Sequence, residues 1–138
     1  MKDPDISIVI PCYCSGEWLD KLVEEIKINL QNIERTFEII LVNDRSPDEG
    51  LTSKSIRKIC TNNDFVSGIE LWKNVGQHKA ICCGIDNSKG DLIVIMDDDF
   101  QHLPSMIPKL IDKLESSDFD AVIGSSKVRQ TMFRRLGA

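Results

Sequence analysis

The sequence predicts an α/β domain with a mostly parallel sheet and helices on both faces. Short apolar runs alternate with stretches of helical periodicity along the chain. The runs are continuous, as expected of strands buried on both faces. A helical stretch separates most successive runs, which is what the crossovers of a parallel sheet require.

ISIVIP, Ile6 to Pro11, reads as the first strand. Trp18, Leu19, Leu22, Val23, Ile26, Leu30 and Ile33 then recur at helical spacing. FEIILVN, Phe37 to Asn43, is the second strand, rich in branched residues and free of Gly and Pro. The turn DRSPDEG leads into a helix with Ile56, Ile59 and Cys60 on one face. VSGIELW, Val66 to Trp72, reads as the third strand. His78 to Ser88 reads as a short helix whose small residues allow close packing on a sheet. DLIVIMD, Asp91 to Asp97, is the fourth strand. Pro104 suits the first turn of a helix striped by Met106, Ile107, Leu110, Ile111 and Leu114. DAVIG, Asp120 to Gly124, reads as a fifth strand.

Its 138 residues suit one domain, with neither linker nor internal repeat. A net charge of −5 argues against a general nucleic-acid surface, although KVRQTMFRR near the end is basic. That stretch fits a solvated tail or a membrane-surface helix carrying Val128, Met132, Phe133 and Leu136. The chain stops within it, which reads as a truncation. No run approaches the ~20 apolar residues of a membrane span. Met1 to Asp5 is polar and the apolar run after it is too short for a signal peptide, so the expected compartment is the cytoplasm. The cysteine count is 5, and Cys82 adjoins Cys83, which suits reduced thiols better than a disulfide framework. A zinc site is opposed by spacing, with C-x-C at Cys12 and Cys14 and C-C at Cys82 and Cys83 in place of C-x2-C pairs, so the cysteines, Cys60 included, read as small core residues.

In open α/β sheets ligands bind beyond the carboxyl ends of the strands. PCYCSGE, NDRSPD, KNVGQHK and DDDFQH follow the first four strands, so these polar segments gather on one edge. They bring Asp44, Asp48, Asp97, Asp98 and Asp99 together with Lys73, His78 and Lys79. Such a set suits a phosphorylated ligand bridged to carboxylates by a divalent metal. Strand alternation lets Asp97 and Asp99 converge, with Gln101 continuing the series and Asp98 pointing elsewhere. The plainer alternative is a solvated turn capping the helix near Pro104. Neither a G-x4-G-K-[ST] loop nor a G-x-G-x-x-G is present, which argues against P-loop NTPases and dinucleotide-dependent dehydrogenases.

IVIPCYCSGEWL, EIILVNDRSPDEG, KNVGQHKAICCGID and GDLIVIMDDDFQHLPSMIP occur in order over nearly the whole chain. Together they resemble the family 2 glycosyltransferases of GT-A fold, a Rossmann-like architecture. Within that family the chain is most similar to the branch that loads sugars onto polyprenyl phosphates, such as dolichyl-phosphate mannose synthase and undecaprenyl-phosphate sugar transferases. The resemblance implies a nucleotide-sugar donor (UDP- or GDP-linked), inverting transfer at the anomeric carbon, and a polyprenyl-phosphate acceptor at the cytoplasmic face of a membrane. A glycan or other hydroxyl acceptor is the alternative. It implies that residues 1–138 form the donor-binding part of a catalytic domain, with the base and acceptor contacts partly beyond them, so that the chain alone binds donor and metal without assured transfer.

Residue by residue, the resemblance implies that Pro11, Tyr13 and Glu17 border the base and ribose, and that Asp44 accepts a base N–H. Asp97 and Asp99 match the D-x-D motif that binds Mg²⁺ or Mn²⁺, supported by Gln101. Lys79 falls in the donor-pocket segment, and Arg129 aligns loosely with a basic residue near the acceptor phosphate. Plainer readings stand beside these: a half-buried loop residue for Tyr13, a first-turn acid for Glu17, a turn residue for Asp44 and a solvated helix residue for Lys79. The chain departs from the family at Cys14, where Asn is usual, at Arg45, where Gly is frequent, and at Leu103, where Pro is frequent. A receiver-like signalling module would need paired acids after the first strand, where Cys12 and Cys14 stand, and a single Asp after the third, where Trp72 and Lys73 stand. An inactive scaffold subunit is opposed by retention of every metal-type residue.

Overall fold

The computed structural model describes residues 3–124. Four parallel strands form one sheet in the order β3-β2-β1-β4: β1 (Ile6–Cys12), β2 (Phe37–Asn43), β3 (Val66–Glu70) and β4 (Leu92–Ile95). Ile6 pairs with Phe37 on one side and with Leu92 on the other, so β1 is central. α1 (Leu19–Leu30) and α2 (Leu51–Asn62) link the first three strands, and α3 (Gln77–Asp86) leads to β4. A 3-10 turn at Pro104–Met106 then runs into α4 (Ile107–Glu115). Pro104 and Pro108 sit near the starts of these elements, where a missing N–H costs nothing.

β1 and β2 each feed two apolar layers, one on either face of the sheet. Ile6, Ile8, Ile10, Ile39 and Leu41 pack with α1, α2 and α4 residues such as Leu22, Ile26, Ile59 and Ile111. On the other layer Val9, Ile40 and Val42 meet Ala80 of α3. α3 lies close because Gly84 faces the sheet, where an added Cβ would collide with Val9 Cγ1. The small residues of this segment therefore do what the sequence suggests.

Three elements differ from expectation. The ladder of β3 ends at Glu70, although the Leu71 amide still donates to Asn43 O at 3.0 Å. β4 is shorter than predicted because the chain leaves the sheet at the acidic run, after the Met96 amide donates to Val9 O at 3.2 Å. Asp120–Gly124 is not a strand: among the described residues it has no ladder partner, and Ile123 is 90% exposed. A strand-like composition cannot hold an extended segment without partners for its N–H and C=O groups. Helices do cover both faces, but α3 spans only part of its side. Ile93 and Ile95 of β4 are left exposed there.

The order of the sheet places the site. The chain steps outward from β1 to β2 to β3, then returns to the far side of β1 as β4. That reversal opens a crevice beyond the carboxyl ends of β1 and β4.

Candidate functional site

The loops after the four strands meet at that crevice and enclose a cleft of about 380 Å³. Pro11, Cys12 and Tyr13 line it from the β1 loop and Asp44 from the β2 loop. Asn74, Gly76 and Gln77 line it from the segment after β3, and Asp97, Asp98 and Asp99 from the loop after β4.

Asp44 is the hub of the β2 side. It is 4% exposed, and its two oxygens accept the amides of Val75 at 2.7 Å and Gly76 at 2.9 Å. Its own amide donates to Cys12 O at 3.0 Å, and Asn74 Nδ2 donates to its carbonyl at 3.0 Å. One residue thus knits three loops. Gly76, at φ +88°, supplies the left-handed turn that aims its amide at Asp44. Beside it Asn43, also buried, accepts the Ser46 amide at 3.0 Å and the Ser46 hydroxyl at 2.7 Å.

The β1 loop rests on hydrogen bonds from outside itself. The Tyr13 amide donates to Asp98 Oδ2 at 3.1 Å and the Cys14 amide to Ser46 Oγ at 2.9 Å. The Ser15 and Gly16 amides share Thr52 Oγ1 at 3.1 and 3.2 Å. Thr52 in turn donates its hydroxyl to Asp48 Oδ2. For Asp48, desolvation acts upward, but the Thr52 hydroxyl and amide outweigh it and hold the carboxyl below its usual range. Burial pushes the Cys12 thiol far up, so it lines the cleft as an inert apolar group and not as a thiolate.

The acidic run is held from several directions. Gln77 Nε2 donates to Asp97 Oδ1 at 2.6 Å, and His102 Nδ1 lies 3.5 Å from Asp97 Oδ2. The Gln101 amide donates to Asp99 Oδ1 at 2.9 Å. Trp18 Nε1 donates to Asp98 O at 2.6 Å. Burial pushes the Asp98 carboxyl above the usual carboxylate range, against the pull of the Ser15 hydroxyl and the Tyr13 amide, with the charge of Asp99 adding a little.

The acids do not cap a helix, since neither the 3-10 turn nor α4 has a side-chain cap. Asp98, expected to turn toward a donor sugar or solvent, lines the cleft and also reaches the β1 loop, where its Oδ2 accepts the Tyr13 amide. Gln101 is exposed outside the cleft: Phe100, at φ +60°, turns the chain and ends the alternation at Asp99. Lys79 is exposed because Ala80 and Gly84 form the buried side of α3. Glu17 is exposed on the turn where the Trp18 amide donates to Ser15 O at 3.1 Å. Arg129 and the basic stretch lie outside the described residues.

Pro11, Tyr13, Asp44, Asp97, Asp98 and Asp99 are thus the sequence-predicted residues that come together. Sequence reasoning missed Gln77, Asn74 and Asn43, and it read Trp18 only as helix stripe. Gln77 and Asn74 do stand in the polar segment after β3, and an exposed tryptophan needs a partner for its N–H.

Four non-glycine residues with positive φ occur among those described: Cys14, Arg45, Glu49 and Phe100. All stand in the loops at this edge of the sheet. Such concentration of strained backbone is a mark of functional sites.

Residues 7–137 match the family described as Glycosyl transferase family 2. The chain belongs to glycosyltransferase family 2. It is 34% identical, over 94% of its length, to the undecaprenyl-phosphate 4-deoxy-4-formamido-L-arabinose transferase of Proteus mirabilis, covering 39% of that protein. It is 33% identical, over 91% of its length, to the dodecaprenyl-phosphate galacturonate synthase of Rhizobium johnstonii, covering 37% of it. The chain therefore spans less than two fifths of the length of these relatives. The glucosyl-3-phosphoglycerate synthase of Mycobacterium tuberculosis, solved with Mn²⁺, UDP and glucosyl-3-phosphoglycerate, superposes at a TM-score of 0.64 with 18% identity, over 83% of this chain and 41% of that one. That likeness establishes the GT-A fold. The family resemblance read from the four motifs is thereby borne out, including its polyprenyl-phosphate branch.

Proposed function

We propose that this chain binds the nucleotide-sugar donor of a glycosyltransferase that passes a sugar to a polyprenyl phosphate. The observation that carries this reading is the convergence of Asp44 and the Asp97–Asp99 run on one cleft at the switch point of the sheet. The acceptor class is supported by the names of the relatives, both transferases to polyprenyl phosphates.

The donor set fits a hard divalent cation. Asp97 and Asp99 both line the cleft. Among the described residues no group of 3 or more His, Cys, Asp or Glu side chains converges as a complete metal cage. Mg²⁺ takes one or two carboxylates and completes its shell with substrate phosphates and water, so two aspartates suffice. Asp97 and Asp99 would hold Mg²⁺ or Mn²⁺, which would neutralise the charge that builds on a departing nucleoside diphosphate.

The chain's own residues do the rest. Gln77 holds Asp97 with one oxygen committed and the other oriented. Asp44, its carboxylate fixed by two backbone amides, keeps lone-pair capacity for a base N–H at the opposite loops. Pro11 and the exposed ring of Tyr13 border the nucleoside. A phosphate acceptor is ionised near neutral pH and needs little help from a base, so the reading requires no catalytic base among the described residues. Transfer is direct displacement with inversion. No described helix is long and apolar enough to cross a membrane; we place the acceptor at a membrane surface on its chemistry alone.

A thermal-shift screen of UDP-, GDP- and dTDP-sugars, with and without Mn²⁺, tests this. The reading expects one nucleotide series to raise the melting temperature only when Mn²⁺ is present. Equal behaviour of all nucleotides with no metal effect would refute it.

A further inference from the structure

We propose that Asp98 is a positioning residue that clasps the β1 loop to the acidic run, and so sets the nucleoside-bordering residues relative to the diphosphate-binding ones. This rests on the donor-binding reading above.

Two contacts make the clasp. The Asp98 carboxylate accepts the Tyr13 amide at 3.1 Å, and the Asp98 carbonyl accepts Trp18 Nε1–H at 2.6 Å. These contacts join segments about 80 residues apart in sequence, at 85 and 80 positions. The other anchors of the β1 loop run elsewhere: Cys14 to Ser46, and Ser15 and Gly16 to Thr52. Those tie the loop to the β2 side and to α2. Among the described residues, Asp98 alone ties it by side chain to the acidic run.

The loop needs such a tie. Pro11 has no amide to contribute, and Cys14 sits at φ +55°, a conformation its side chain disfavours. Tyr13 lies between them with its ring 52% exposed at the cleft, so its position follows its amide. The flanking acids are differently engaged: Asp97 faces Gln77 and His102, and Asp99 accepts the Gln101 amide. The run thus divides its labour. Asp97 and Asp99 serve the cleft, and Asp98 holds the wall opposite.

The test compares wild type, Asp98→Ala and Asp98→Asn. Both variants remove the charge, and only Asn keeps an oxygen that accepts the Tyr13 amide. UDP and GDP are titrated at saturating Mn²⁺, Mn²⁺ binding is measured separately by its paramagnetic resonance, and Tyr13 amide exchange is followed by NMR without nucleotide. With Asp98→Ala, the affinity of the nucleotide that binds wild type should fall about tenfold and Tyr13 amide exchange should rise about tenfold. Asp98→Asn should return both to within about threefold of wild type. Mn²⁺ affinity should move equally in the two variants, since it senses only the lost charge.

If Asn behaves like Ala, charge and not the clasp is responsible and the proposal falls. If nucleotide binds wild type and Asp98→Ala equally well, it also falls. If neither nucleotide binds wild type, the donor-binding reading fails. Tyr13 exchange then still judges the clasp: acceleration in Ala but not Asn upholds it, and equal rates in all three proteins sink it.

Discussion

Gln77 Nε2 donates to Asp97 Oδ1 at 2.6 Å, so the first residue of α3 holds the first carboxylate of the acidic run. The contact crosses from the loop after β3 to the loop after β4, and it fixes which way Asp97 faces. Groups that orient a metal-binding carboxylate typically cost about 10- to 100-fold in affinity when removed. Gln77 is exposed, which favours the low end. Gln77→Ala should weaken Mn²⁺-dependent UDP or GDP binding about tenfold by calorimetry. Gln77→Glu should be worse, because it sets a second carboxylate against Asp97.

Asp44 carries a structural duty alongside its proposed reading of the base. Asp44→Ala leaves the Val75 and Gly76 amides without their acceptor. Unsatisfied amides of this kind cost about 1–3 kcal/mol. Urea denaturation should show a loss in that range, and nucleotide binding should disappear with it. Asp44→Asn keeps one acceptor oxygen and should fall between.

Cys14 and Arg45 both sit at φ +55°. Asn and Gly tolerate the left-handed region that Cys and Arg resist. Cys14→Asn and Arg45→Gly should each stabilise the fold by about 0.5–1 kcal/mol, glycine's gain being trimmed by its freer unfolded state. Thermal melts of the two variants check this; a lower melting temperature for both would show that the strain is not relieved.

Asp48 predicts an acid limb. Its carboxyl is held below the ordinary carboxylate value of 3.8, desolvation being outweighed by hydrogen bonds from Thr52. The folded state therefore binds its proton less readily than the unfolded one. The stability it contributes is present above about pH 3.8 and is lost as pH falls through the lower folded value. Asp48→Asn should flatten the fall of melting temperature with pH in that acid window and leave its slope near neutrality unchanged.

Much of this was legible in the sequence because buried parallel strands leave unbroken apolar runs. ISIVIP and FEIILVN are 0% exposed over most of their length, so their pattern is nearly all core. The site edge followed from one rule about strand ends. What the sequence withheld was pairing: nothing in DLIVIMD says that β4 lies beside β1, and only that adjacency brings Asp98 to Tyr13. For the same reason DAVIG was over-read, because composition does not report a missing ladder partner. Trp18 was read only as part of a helical stripe because helical spacing ignores the polar end of an indole, which here reaches Asp98 O. Gln101 was expected to continue the alternation of the aspartates, a pattern broken by the left-handed turn at Phe100.

Asp97 and Asp99 should make nucleotide binding depend on a divalent metal. Calorimetric titration of UDP and of GDP, with Mn²⁺ and then with EDTA, tests it most directly, with Asp99→Ala as the companion protein. Wild type should bind one nucleotide with Mn²⁺, and neither wild type in EDTA nor Asp99→Ala should bind it. Binding that persists unchanged in EDTA or in Asp99→Ala, or no binding of either nucleotide by wild type, would contradict it.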